Sequence, residues 1–392
     1  MAEPLARQVV ATGTSAERVA AELVERLRAP DLRLAIVVAD WRLEPAVIAR
    51  VTQRGLAPAP VVGGTTIGVI APSAGGGGGD ARGGPGPELA AAGLGLYGDW
   101  LRVGIGLATD LPRSALTRSR DAVEEAAAAL GTSASLLDPA RHVGITILDG
   151  SCGHEEAFCI GSAAAAPQIR VVGGCAAIEV PSPRRAHVWC RGEALPDAGA
   201  VVVLATELPV YAITSTHLRP TDVKTVVTGA SGRVITELDG RPAARRLYDL
   251  VRRLGDEPER PEQPLATRYA FARYISRVPY VRSMVYLDGD RIVLAGGVET
   301  GHVLRLMRTG DLIGTTRRDL ALAADRVGGA MAALLAMSCI GRHWEAAERG
   351  IAHELAEVYA AYPTIGYQSS GEQSGMLLVN HSLTALAIGA RR

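Results

Sequence analysis

Between Thr14 and Leu27 the apolar residues Val19, Leu23 and Leu27 recur every fourth position, the spacing of one face of an α-helix. Thr14 or Ser15 stands where an N-cap belongs, and Glu17 falls in the first turn, where free N–H groups favour negative charge. The period then changes. Residues 34–39 read LAIVVA, apolar throughout, as in a strand covered on both faces. A helix is predicted over about 44–54, followed by Val61-Val62-Gly63-Gly64. The same order returns later. A buried strand over 143–148 ends at Asp149, a helix follows over about 154–166, and then Val171-Val172-Gly173-Gly174. Asp40 and Asp149 lie 109 positions apart, and Gly63 and Gly173 lie 110 apart. Matched strands, helices and glycine pairs at one offset predict an internally duplicated strand–helix–strand unit in the N-terminal part.

Further strands are predicted over 200–205, 223–228 and 234–238, with Gly232 in the turn between the last two. Pro242 suits the first turn of a helix. Residues 255–264, polar and rich in proline, read as a linker or long loop. Strands follow near 281–287 and 291–294, then a long helix over about 319–335, a strand over 336–339 and a helix over about 344–361. Strands at 377–380 and 383–388 close the chain. Alternating helices and strands, some strands in hairpins, predict an α/β (mixed α+β) fold with mixed sheets and flanking helices. At 392 residues the chain has room for two or three domains. The division read from the sequence is an N-terminal helix over 1–30, a first domain over 31–240 and a second over 241–392. A flexible insertion over 71–90 carries five consecutive glycines, Gly75 to Gly79.

Composition narrows the function. Lys+Arg and Asp+Glu both number 41, so no broad basic surface for nucleic acid or anionic lipid is expected. Lys224 is the only lysine. No apolar run reaches the roughly 18 residues of a membrane span, and residues 1–10 lack a signal-peptide core. The expectation is a cytoplasmic protein with no membrane partner. Five cysteines make no disulfide framework. The glycine run lacks the Gly-Lys-Ser/Thr ending of a phosphate loop, and Gly104-Ile105-Gly106-Leu107-Ala108-Thr109 misses the last glycine of a dinucleotide fingerprint. Gly161-Ser162-Ala163 is no nucleophile elbow.

Three segments could carry chemistry. In Ser338-Cys339-Ile340-Gly341-Arg342 a small apolar strand turns into a helix, so Cys339 stands near free helix N–H groups that favour a thiolate. Arg342 adds to that field and could grip a carboxylate with two N–H groups. The alternative is a buried structural cysteine. The run from Tyr362 to Glu372 gathers Tyr367, Gln368, Ser369, Ser370 and Glu372 around Gly366 and Gly371, which suits a pocket rim or a polar hairpin. Cys152, His154 and Cys159 have no standard zinc spacing and no evident fourth ligand, and a strand-to-helix turn with Glu155 and Glu156 in its first turn accounts for them. His142, His187, His217 and His302 lie in strand-like stretches and read as structural or surface histidines.

Taken in order, these segments resemble the FIST family, built from a FIST_N and a FIST_C domain. The residues that carry the resemblance are VVGGTTIG at 61–68, DG at 149–150, VVGG at 171–174 and the long passage at 219–251. SCIGR at 338–342, IGY at 365–367, SGE at 370–372 and NHSLT at 380–384 complete it. The resemblance implies a sensory, signal-transducing protein that binds a small carboxylate or amino-acid-like metabolite and acts through a separate signalling protein. Its pocket is expected from Cys339, Arg342, Tyr367, Glu372, Gly366 and Gly371. Some similar bacterial proteins bind haem and sense nitric oxide; on that alternative His343 is the first axial candidate and Cys339 the second. A third reading is a stand-alone enzyme with Cys339 as nucleophile and His343 or His381 as base. His343-Trp344-Glu345 departs from the small residue usual in the family after this segment, as does the glycine-rich insertion.

Overall fold

The computed structural model describes residues 5–72, 89–180, 182–257, 265–275 and 278–391. The glycine run and most of the predicted linker lie outside the described residues. The first part of the chain runs β1 (Ala6–Gly13), α1 (Ala16–Leu27), β2 (Leu32–Asp40), α2 (Pro45–Leu56), β3 (Val61–Thr66), β4 (Val69–Ile70) and β5 (Leu89–Tyr97). The second runs β6 (Leu101–Ala108), α3 (Leu111–Ala129), β7 (His142–Asp149), α4 (Glu155–Ala165), β8 (Arg170–Ala176), β9 (Val188–Cys190), β10 (Glu193–Leu195) and β11 (Gly199–Thr206). After β12 (Val210–Ser215) the chain enters an inserted sheet. It comprises β13 (Arg219–Ser231), β14 (Val234–Leu238), β15 (Arg241–Pro242), α5 (Ala243–Arg252), α6 (Leu265–Arg268), β16 (Tyr269–Ile275), β17 (Val278–Asp288), β18 (Arg291–Leu294) and β19 (Val303–Arg308). The last part is α7 (Leu312–Arg326), β20 (Met331–Cys339), α8 (Ile340–Glu348), α9 (Ala352–Ala360), β21 (Thr364–Ser369), β22 (Glu372–Ser374), β23 (Leu377–Val379) and β24 (Leu383–Gly389).

The duplication expected from the sequence is a triplication. The three main sheets contain the orders β1-β5-β2-β3, β6-β11-β7-β8 and β12-β24-β20-β21. In each, the last two strands are the parallel pair and the others run antiparallel. The strand after each parallel pair crosses to another sheet. Thus β4 pairs with β21, β22 with β8, and β9 with β3, so the exchange closes on itself. Alternation explains the all-apolar strands. Leu34, Ile36 and Val38 enter a central core shared by all three sheets, whereas Ala35, Val37 and Ala39 pack under α1 and α2. The second sheet packs likewise under α3 and α4, the third under α7 and α9.

Gly63, Gly173 and Gly366 occupy one place in this scheme, opposite Val37, Thr146 and Ala336 in the parallel pairs. A Cβ on any of them would collide with the backbone oxygen of that partner. Gly366→Ala should therefore cost about 1–3 kcal/mol by overpacking, read as a fall in the urea midpoint. Undiminished stability would show that the strand spacing is not fixed by this contact.

Other boundaries differ from the expectation. The helix predicted over 319–335 stops at Arg326, because Gly328 and Gly329 both take positive φ (95° and 91°) and the strand begins at Met331. The helix predicted over 344–361 is two helices separated at Gly350, φ 69°. Of the residues read as an N-terminal helix, β1 pairs with β5 and α1 covers the first sheet. The third sheet draws β12 from before residue 240 and its other main strands from after it. No helix among the described residues is long and apolar enough to cross a membrane.

Candidate functional site

Cys339 ends β20 opposite Ser369, the place that Asp40 and Asp149 hold in the other two sheets. Those aspartates close their own turns. Asp40 accepts from the Arg42 amide and guanidinium, and Asp149 from the Ser151 amide and hydroxyl and the Asp197 amide. A cysteine cannot do this, and α8 starts directly after it. The backbone N–H groups of Gly341 and His381 favour its thiolate instead. The carboxylate of this third position comes from Glu372, which is fully buried and accepts from Ser369 Oγ at 2.6 Å and Ser382 Oγ at 2.5 Å. Cys339 lies near that carboxyl group, and each affects the other's protonation. Burial pushes the Glu372 carboxyl up to about 8 against these bonds. Burial and the Glu372 charge together push the Cys339 thiol far up. The thiolate expected from the helix terminus is thus overruled: two amides and a guanidinium do not offset desolvation beside an acid.

Arg342, one turn into α8, is fully buried. Its Nη2 donates to Thr316 Oγ1 at 2.7 Å, while Nε and Nη1 meet no hydrogen-bond partner among the described residues. Nearby, Glu345 Oε2 accepts from Nε2 of His217 at 2.6 Å and Nε2 of His381 at 3.0 Å, and Arg349 binds Oε1 at 2.6 Å. Burial opposes the Glu345 charge, but the two imidazole N–H groups prevail and hold it at about 2. Burial lowers His217 to about 4, so it is neutral near pH 7. These three side chains place metal-type donor atoms within 4.8 Å of one another. Both imidazole N–H groups are committed to one oxygen, and Arg342 and Arg349 add positive charge, so the cluster as folded is a clamped carboxylate. His217, read from the sequence as structural or surface, is buried in this cluster. His343 retains some exposure as a residue, but its Nε2 is enclosed without a partner, and burial with the Arg342 charge holds the ring at about 3.

A cavity of about 360 Å³ opens above Cys339, between the α8 turn and the inserted sheet. Ile340, Gly341 and Trp344 line one side; Met284, Tyr286 and Leu294 line the other; Ile178, Gly150 and Ser370 flank them. Its polar groups include Ser182, Ser283, whose buried Oγ has no partner among the described residues, and Arg233, which ion-pairs with Glu155. Of the expected site residues, Cys339 is on the wall. Glu372 lies behind it, and Arg342 is not among the lining residues. Tyr367 is in the central core, its hydroxyl bound to the Gly174 carbonyl at 2.8 Å. Gly366 abuts the Ala336 backbone, and Gly371 abuts Asn380 and Leu378. These three hold sheets together. Arg233, Ser283 and Trp344 were missed as pocket residues; only the anomalous Trp344 carried a signal.

Comparisons with known proteins agree with the sequence resemblance. A FIST N domain matches residues 9–241 and a FIST C domain residues 243–375. No curated protein matches the chain. Among solved structures, a cyanuric acid hydrolase from A. caulinodans is similar over 100% of both chains, with a TM-score of 0.44 and 12% identity. The chain therefore belongs to the FIST family, whose domains are generally sensory, ligand-binding signalling modules.

Proposed function

We propose that the protein senses a small carboxylate, amino-acid-like and with an apolar body, bound in the cavity over Cys339. The observation that carries this reading is the wall itself: mostly apolar, with one guanidinium, Arg233, and one unsatisfied buried hydroxyl, Ser283. A volume near 360 Å³ is at the small end of ligand pockets. Glu155 occupies only part of the Arg233 fork, and the remaining N–H groups suit a second carboxylate. Arg342, which the family resemblance put forward as the anchor, supports the site from behind through the α8 turn. Because the cavity joins the third sheet to the inserted sheet, occupancy would alter their fit and be read by a separate signalling protein.

Calorimetric titration with a panel of hydrophobic amino acids and their 2-oxo acids tests the proposal. At least one should bind saturably, and Arg233→Met should weaken it tenfold or more, about 1.4 kcal/mol. Binding unchanged by Arg233→Met, or no binding across the panel, removes the proposal.

A further inference from the structure

We propose that Cys339 adds covalently to carbonyl-type electrophiles held in this cavity, with Glu372 accepting its proton. This rests on the cavity being a ligand site and names its chemistry. Cys339 lines the cavity although it is almost wholly buried, and behind it lies the Glu372 carboxyl group, which Ser369 and Ser382 orient from two sides. The backbone N–H groups of Gly341 and His381 favour the thiolate and would hold negative charge as it develops on the sulfur. Across the cavity the Ser283 hydroxyl, buried and without a partner, is a donor for an oxygen of the bound molecule. A thiol on the cavity wall, a proton acceptor behind it and a hydroxyl donor across from it make a nucleophile's surroundings. His343 and His381, the bases considered from sequence, are not needed: His381 Nε2 is bound to Glu345, and His343 is absent from the wall.

With an aldehyde, the sulfur electron pair forms the S–C bond and the C=O π pair moves to oxygen. The thiol proton passes to Glu372 and is returned to the new alkoxide, giving a neutral hemithioacetal. Nothing is oxidised or reduced, and nothing leaves. Because burial places the Glu372 carboxyl at about 8, its capacity to accept a proton should grow as pH rises through that value.

Iodoacetamide labelling of the native protein, read by peptide mass spectrometry, provides the test, with benzaldehyde as the carbonyl probe. Cys339 is as buried as Cys159, Cys175 and Cys190, but it alone of the four lines the cavity, and it should be alkylated at least tenfold faster than they are. Benzaldehyde should slow labelling of Cys339 but not of Cys152. Glu372→Gln should slow it tenfold or more and abolish the rise near pH 8, whereas Glu372→Asp restores part of it. Labelling of Cys339 no faster than of Cys159, or no protection by benzaldehyde in the wild-type protein, overturns the proposal even if Glu372→Gln misfolds. Carboxylate binding with an inert Cys339 would overturn this step alone and leave the sensor reading standing.

Discussion

Replacing Glu345 with leucine should lower the unfolding free energy by about 3–5 kcal/mol, the usual consequence of removing one partner from a buried charged cluster. Glu345 is the single acceptor for Nε2–H of both His217 and His381, and it also neutralises Arg349. His217 and His381 are themselves fully buried, and their Nδ1 atoms have no partner. Losing the carboxylate leaves two donors unsatisfied in the interior, next to an Arg342 guanidinium that already has two. The cluster also sets an acid limit. His217 titrates at about 4 when folded, below its ordinary 6.5. The unfolded chain therefore takes up a proton that the native state refuses, and stability falls as pH drops from about 6.5 to 4. Glu345, held at about 2, contributes stability that is present above its ordinary 4.5 and lost only as pH falls through 2. Urea unfolding at pH 7 measures the first effect and a series down to pH 4 the second. A loss below 1 kcal/mol would mean that the histidines find other acceptors.

Much of the architecture was legible because apolar runs and turns are local signals. The strands over 234–238 and 291–294 match the observed ones at both ends, and the repeated VVGG marked equivalent parallel-pair strands. The third copy was hidden. IGYQ at 365–368 keeps only the first of the paired glycines, with Tyr367 where the others have Gly64 and Gly174, and the inserted sheet separates β12 from α7. Cys339 stands where the first two copies have aspartate, so the residue that makes the third position distinct also concealed its kinship. The site was legible only near the motif. Arg233, Ser283 and Met284 reach it from an insertion about 50–100 positions earlier, a juxtaposition no period encodes. Desolvation was equally invisible: sequence showed a helix start and an arginine beside Cys339, but not the burial which, with Glu372 adding to it, reverses their effect on the thiol.

The same carboxyl gives the largest expected pH effect. In the folded protein Glu372 keeps its proton to about 8, whereas an ordinary glutamate releases it near 4.5. Its contribution is thus fully present below 4.5 and is lost as pH rises to about 8, since over that range the native state binds the extra proton. At roughly 1.36 kcal/mol per unit, the loss is on the order of 5 kcal/mol. Glu372→Gln keeps the shape and cannot ionise. One of the two serines must turn to accept from the amide, a fixed cost near 1 kcal/mol that does not vary with pH. The variant should therefore be slightly less stable than wild type at pH 4.5, gain on it steadily to pH 8, and run parallel above. Urea midpoints at four pH values between 4.5 and 9 are sufficient. Parallel curves throughout would mean that Glu372 is already ionised at pH 5, with Arg342 rather than desolvation governing it. In that case the sulfur of Cys339 would face a full negative charge, and its addition to a carbonyl would lose the pH dependence expected of it.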